Sequence, residues 1–159
     1  MIQGFSCGEP PLDDYLLKNA WQSSAAGLGR TFVAVEPGKL EVCGYFTMAA
    51  GAVKFDSIPD YAKKRLPKYP IPTAHLAKLA VHESHQKRGL GAALLIEALR
   101  RSLSASEQIG VFAVDVIALN DRARGFYLKY GFVPLLDNTH HLYMSIKTAK
   151  AVAAIVAEA

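Results

Sequence analysis

"HQKRGLGAALL", His85 to Leu95, is the stretch on which the reading of this chain turns. Gly89 and Gly91 stand two residues apart, Gln86, Lys87 and Arg88 come just before them, and an apolar helical pattern comes just after. Backbone N–H groups at the start of a helix have no partner inside the helix and lie at the positive end of its dipole. Glycines let the chain take positive φ and let a ligand come close to the backbone. On local pattern the turn is therefore either an anion cradle or an ordinary tight turn. It is not a GxxxxGK[ST] loop, and Ala92, Ala93 and Leu94 after Gly91 do not continue a GxGxxG fingerprint, which disfavours a nucleoside triphosphate or NAD.

Outward from the turn the elements alternate. "AHLAKLAVHE" (74–83) reads as a strand, and "GLGAALLIEALRRSL" (89–103) as a helix with leucine pairs Leu90/Leu94 and Leu95/Leu99/Leu103 four apart. "VFAVDVIAL" (111–119) is nearly continuous apolar sequence, as a strand buried on both faces requires. "DRARGFYLKYG" (121–131) is a second helix closed by Gly131, and "HHLYMSI" (140–146) a last strand. Before the turn, a Pro10-Pro11 start and Leu12, Tyr15, Leu16 and Ala20 predict a helix from about 10 to 24. "RTFVAV" (30–35) and "EVCGYFTMAAGAV" (41–53) flank "EPGK" as a hairpin. Ser57 and Asp60 are spaced like a capping box, predicting a short basic helix ended by Pro67. The alanine-rich 148–159 predicts a tail helix. Helix, hairpin, short helix and strand–helix–strand–helix–strand make one α/β domain with a mixed sheet over 1–159, with no internal repeat and no linker.

Composition bounds the function. At 159 residues with 51% hydrophobic content the chain is long enough for a real core. No run approaches the ~18 consecutive apolar residues of a membrane helix. "MIQGFSCGEPPLDDYL" has neither a basic n-region nor an apolar h-region, so the cytoplasm is the expected location. Cys7 and Cys43 lie far apart without a CxxC partner and read as buried free thiols. His75, His82, His85, His140 and His141 form no HExxH or comparable ligand set, so no metal is expected. A net charge of +4 leans towards an anionic ligand or partner.

With two further motifs, the turn resembles the acetyl-CoA pyrophosphate signature of the GNAT N-acetyltransferases, Q/R-x-x-G-x-G/A, here Gln86-Lys87-Arg88-Gly89-Leu90-Gly91. Asn120 follows the next strand, and "ARGFYLKYGF" (123–132) is similar to the family's A-x-x-F-Y-x-x-x-G-F helix and exit. "FSCGEPPLDDYL" (5–16), "RTFVAV" and "GYFTMAAGAV" (44–53) resemble, more narrowly, the bacterial GNAT toxins that acetylate the amino group of aminoacyl-tRNA. Those toxins are paired with ribbon-helix-helix antitoxins and are often dimers. The family usually has a strand before "FSCG", where this sequence has only "MIQG", so that strand is either truncated or dispensable.

The resemblance implies a GNAT fold, with a central, mostly antiparallel sheet flanked by helices, and an acetyl-CoA co-substrate. It implies that backbone groups of Leu79, Ala80 and Val81 receive the pantetheine arm and acetyl carbonyl. Backbone N–H groups from Lys87 to Ala92 (Lys87, Arg88, Gly89, Leu90, Gly91, Ala92) would hold the pyrophosphate, with Lys87 and Arg88 adding charge and Asn120 bonding the cofactor's arm. Tyr127 becomes the general acid for the departing thiolate, against its alternative as a core aromatic; Tyr130 and Tyr143 compete with it. Glu83 and Asp115 are carboxylates with blander readings, a solvated strand end and a structural hydrogen bond. Lys63, Lys64, Arg65 and Lys68 beside Tyr61 and Tyr69, with Arg30 and Arg122, are either solvated faces or tRNA phosphate contacts. A GNAT acting on a small amine or a protein amino group is the alternative, and a non-catalytic module with a vestigial cradle a further one.

Overall fold

The computed structural model describes residues 4–158. Six strands hydrogen-bond into one sheet in the order β1-β2-β3-β4-β6-β5: β1 (Arg30–Val35), β2 (Val42–Val53), β3 (Ile71–Val81), β4 (Ala113–Ile117), β5 (Val133–Pro134) and β6 (His141–Ser145). The helices are α1 (Pro10–Asp14), α2 (Ala20–Ala25), α3 (Leu90–Ser106), α4 (Asp121–Lys129) and α5 (Ile146–Glu158). β3 and β4 are neighbours joined through α3, the helical crossover that parallel strands need, whereas β1–β2, β4–β6 and β5–β6 are antiparallel. Among the described residues no helix is long and apolar enough to cross a membrane.

The chain divides into two compact units, Met1–Ala49 with Leu76–Ala98, and Ala50–His75 with Leu99–Ala159. In the first, Pro10 and Pro11 occupy the opening helical positions, where a missing N–H costs nothing. The helix then continues through one π turn at Tyr15–Asn19 into α2. Leu16 and Ala20, four apart, bury against Phe5, Cys7, Val42, Tyr45 and Ala80. Asp13 accepts the Cys7 N–H at 2.8 Å, and the Tyr45 hydroxyl donates to the Leu12 carbonyl at 2.6 Å. The hairpin pairs Arg30 with Met48 through Ala34 with Gly44, and slips by a bulge before Val35 pairs with Val42. Both cysteines are buried and free; burial and Asp13 push the Cys7 thiol up to about 12.

In the second unit β4 pairs with β6 from Ala113/Ser145 to Ile117/His141, and Asp115 lies opposite Tyr143. Val53, Ile58, Ile71, Ala113, Leu135 and Tyr143 form its core, with Ala62, Leu66 and Phe112 packed against them. Helix α4 closes as a Schellman motif: the Gly131 N–H donates to Leu128, the Phe132 N–H to Tyr127, and Gly131 takes φ +104°. The short basic helix expected at 57–67 does not form. The segment makes two 3₁₀ turns, Phe55–Ser57 and Asp60–Ala62, and Ser57 Oγ donates to the Lys54 carbonyl instead of capping. Pro67 disfavours helical backbone at Leu66 before it, and Arg65 already leaves the helical region at φ +67°. The tail helix begins two residues earlier than expected, at Ile146, capped by Ser145 Oγ accepting from the Thr148 N–H at 3.1 Å. Residues 1–3, part of the stretch before "FSCG", and residue 159 of the tail lie outside the described residues.

The two glycines of α4 and its exit separate conformation from space. Gly131→Ala forces a Cβ into positive φ and should cost about 1–2 kcal/mol. Gly125, inside the helix with nothing near its Cβ position, should gain about 0.5–1 kcal/mol as Ala. Urea unfolding of the two variants checks both signs.

Candidate active site

In the first unit, the turn between β3 and α3 is fixed by bonds on every side. His82 N–H donates to Cys43, Glu83 N–H to Ser6, and a 3₁₀ turn spans Glu83–His85. The Gln86 side chain then donates to the Cys7 carbonyl at 2.8 Å and the Val81 carbonyl at 2.9 Å. His85 Nε2 meets the Glu36 carboxylate at 2.6 Å, and Lys39 meets the same carboxylate at 2.8 Å, tying the "EPGK" turn to this one. Lys87 and Gly89 take positive φ, +65° and +84°. Nothing stands near a Cβ built at Gly89, so that glycine serves the backbone conformation rather than packing.

Behind this turn the Ala93 N–H donates to the Gly89 carbonyl, and the amides that precede it at the helix start have no intrahelical acceptor. Lys87, Arg88 and Gly89 are exposed, and Leu90, Gly91 and Ala92 half-buried. Neither Lys87 nor Arg88 has a carboxylate partner among the described residues. Unpaired amides, positive φ and two cations with no counter-charge are the chemistry of an anion cradle, and a pyrophosphate fits it. Leu79 and Val81 are half-buried and Ala80 is buried at the end of β3. Glu83 is an exposed turn residue.

In the second unit, Asn120 caps α4, its Oδ1 accepting from the Ala123 N–H at 2.9 Å. Tyr127 is buried between Phe126 and Phe132, ring to ring at 5.3 and 5.5 Å, and burial pushes its phenol well above the ordinary value. Tyr143 is buried too, and burial together with a hydrogen bond to Tyr61 raises it to about 12. Both phenols keep their protons at neutral pH.

A second cluster centres on Asp115, only 3% exposed. Its Oδ1 accepts from Thr73 Oγ1 at 2.7 Å; its Oδ2 accepts from His75 Nδ1 at 3.0 Å and His141 Nε2 at 2.8 Å. The other nitrogen of His141 meets Asp137 at 3.0 Å. Burial alone would raise the Asp115 pKa, but the bonds from His75, Thr73 and His141 outweigh it and hold the carboxyl below its usual range. Burial works equally against a charged His141, yet its two carboxylates outweigh that and raise it. The structural hydrogen bonding expected of Asp115 is thus present, with partners the sequence reading did not assign to it. The local signal for them is Thr73 and His75 at period two on a strand whose remaining residues, Lys78 apart, are apolar.

The basic residues divide. Lys63 is half-buried, 3.5 Å from Asp60 and over the Phe55 ring at 4.9 Å. Lys64, Arg65 and Lys68 project to solvent beside exposed Tyr61 and Tyr69. Arg122 is exposed in the first turn of α4. Arg30, in the first unit, donates to the Ser24 carbonyl at 2.7 Å and so closes the end of α2.

A β–α–β unit with an amide cradle at the helix start suits a phosphorylated carrier. Residues 27–134 match the Acetyltransferase (GNAT) domain family, and the chain belongs to it. It is 38% identical over 150 residues to a tRNA-acetylating toxin of Mycobacterium tuberculosis, covering 94% of this chain and 89% of that protein. Its fold matches a tyrosine-to-phenylalanine variant of KacT with a TM-score of 0.91 at 27% identity, over 96% of this chain and 91% of that one. It matches AtaT complexed with acetyl-methionyl-tRNAfMet with a TM-score of 0.88 at 28% identity, over 96% and 91%. A tyrosine-to-phenylalanine variant of AtaT bound to the C-terminus of its antitoxin AtaR and acetyl-CoA gives 0.80 at 28%, over 96% and 89%.

The Asp115–His141 pair makes stability depend on pH with a definite sign. A depressed carboxyl contributes fully above its unfolded value of ~4, and a raised imidazole below ~6.5, so the pair is whole between those limits. Its contribution fades as pH falls and Asp115 is protonated, and again as pH rises and His141 loses its proton. Asp115→Asn should therefore cost about 3 kcal/mol near pH 5.5 and less at pH 9, in urea titrations at the two pH values.

Proposed function

We propose that the whole chain works as one acetyltransferase domain that moves the acetyl group of acetyl-CoA to the α-amino group of an aminoacyl-tRNA, and so blocks translation in the cytoplasm. The observation that carries the proposal is the turn Gln86–Ala92, whose unpaired amides and uncompensated cations suit a pyrophosphate. In this reading the amides from Lys87 to Ala92 hold the diphosphate and Lys87 and Arg88 add charge-assisted contacts. The ends of Leu79, Ala80 and Val81 receive the arm and the acetyl carbonyl, and Asn120 meets the arm from the helix start that it caps. Gln86 is a positioning residue, since its amide is bonded to backbone carbonyls on both sides of the turn.

The amine attacks the thioester carbon directly, the C–N bond forms, the C–S bond breaks, and the thiolate takes a proton. Tyr127 supplies that proton; its burial keeps the phenol protonated until a basic thiolate develops. An α-amine titrates near ~8, so about a tenth is already neutral at pH 7, against far less for a lysine at ~10.4. That favours the aminoacyl end over a lysine side chain as acceptor. The tRNA-acetylating relative and the tRNA complex of AtaT support the same choice. Lys64, Arg65 and Lys68 would meet tRNA phosphates, with Lys63, Arg30 and Arg122 as further contacts. The partner that silences the protein is a ribbon-helix-helix antitoxin, and the working form is a homodimer.

Labelled acetyl-CoA mixed with charged and uncharged tRNA tests the reaction. Label should appear on charged tRNA alone and fall about 100-fold with Tyr127→Phe. Label on uncharged tRNA, or only on small amines and peptides, would overturn the assignment. Removing Lys64, Arg65 and Lys68 together should weaken tRNA binding across sequences and flatten the slope of log affinity against log salt by about 2–3.

A further inference from the structure

We propose that His75 is the catalytic base that takes a proton from the aminoacyl ammonium, with Asp115 as its positioning residue. The inference rests on the acetyl-transfer reading above and is carried by the geometry of the second unit. A carboxylate only accepts, so the His75 nitrogen that faces it, Nδ1, carries the hydrogen, and the other, Nε2, holds a lone pair in the neutral ring. That Nε2 has no partner among the described residues, and the His75 side chain is 26% exposed against 12% for His141. Oriented carboxylate, fixed tautomer and accessible lone pair are what a histidine base needs.

The second histidine has a different setting from the first. His141 lies between Asp115 and Asp137 with a nitrogen on each, a setting that favours the imidazolium. The imidazolium thus answers part of the charge of Asp115, whose Oδ2 also orients the His75 ring. The groups facing His75 are Asp115 on β4, Thr73 on its own strand and, beyond Asp115, His141 and Asp137; Gly51 on β2 adds none. A Cβ at Gly51 would come within 2.9 Å of both His75 Cβ and Thr73 Oγ1, so the bare backbone there is what lets the ring stand where it does.

The substrate end is also indicated within this unit. Ile71, Thr73 and His75 alternate onto one face of β3, as Ala113 and Asp115 do on β4 and His141 and Tyr143 on β6. Ile58, Ala62 and Leu66 of the basic segment pack on that face with Ile71, Ala113 and Tyr143. Exposed Lys64, Arg65, Lys68, Tyr61 and Tyr69 thus belong to the cover of the sheet face on which His75 stands. In the step itself His75 Nε2 gains the ammonium proton, the neutral amine forms the C–N bond as the C–S bond breaks, Tyr127 protonates the departing thiolate, and one of the amine's two protons restores the phenol, leaving the amide. The imidazolium then returns its proton to water.

Initial rates of the full-length protein with charged tRNA and acetyl-CoA, from pH 6.5 to 9, test the proposal. His75→Gln should lose about tenfold at pH 7, where about a tenth of the amine is already neutral. The deficit should all but disappear at pH 9, where the amine is already neutral. Acetyl-CoA affinity should not change. Asp115→Asn should show a smaller loss with the same trend, and imidazole should restore part of the activity of His75→Ala. A loss that stays constant across pH, or no loss, overturns the role of His75 alone. A wild-type protein that leaves charged tRNA unlabelled overturns the acceptor reading instead, and this proposal with it.

Discussion

A helix that begins directly behind a strand leaves its first amides facing outward with nothing to bond, and the first unit is organised around that constraint. Gln86 holds the turn by two carbonyls, one on the N-terminal segment at Cys7 and one at the strand end at Val81. His82 and Glu83 add backbone bonds to Cys43 and Ser6, and His85 reaches the hairpin through Glu36. The packing of Phe5 against Tyr45 and His82 keeps the N-terminal segment in place beneath these bonds. An anion site built from amides acts without reorganising, because its dipoles are fixed before the ligand arrives. In the proposed function, rigidity in the turn is thus part of its chemistry.

The second unit solves the opposite problem, a charge inside. Asp115 is buried in a strand whose neighbours are apolar, and a carboxylate there is tolerable only when its oxygens are bonded. Thr73, His75 and His141 supply those bonds from the strands on either side. A network satisfied in this way holds each ring in one orientation, which is the property both a structural and a catalytic role require.

How much of this could be read beforehand follows from sequence separation. Helix α3 was legible because Leu90, Leu94, Leu95, Leu99 and Leu103 repeat at helical spacing within one short window, and the end of α4 because Gly131 is the one residue suited to its positive φ. The cradle and Asn120 were legible as motifs for the same local reason. The partners of Asp115 were not, since His75 and His141 lie 40 and 26 residues away and only the sheet order brings them together. The stretch from Ser57 to Pro72 misled in two ways. Its cap-like spacing suggested a helix that its prolines prevent, and its exit prolines hid the start of β3, where Pro72 stands exposed within the strand. Strand β5 has two residues and carries no periodicity to detect.

The central claim is that the amides behind Gln86 hold the phosphates of the carrier, and backbone amide chemical shifts in a labelled protein measure this atom by atom. On adding coenzyme A, the largest shifts should fall on Lys87 to Ala92, and inorganic pyrophosphate should move the same amides more weakly. Coenzyme A that binds while leaving those six amides unmoved would contradict the account.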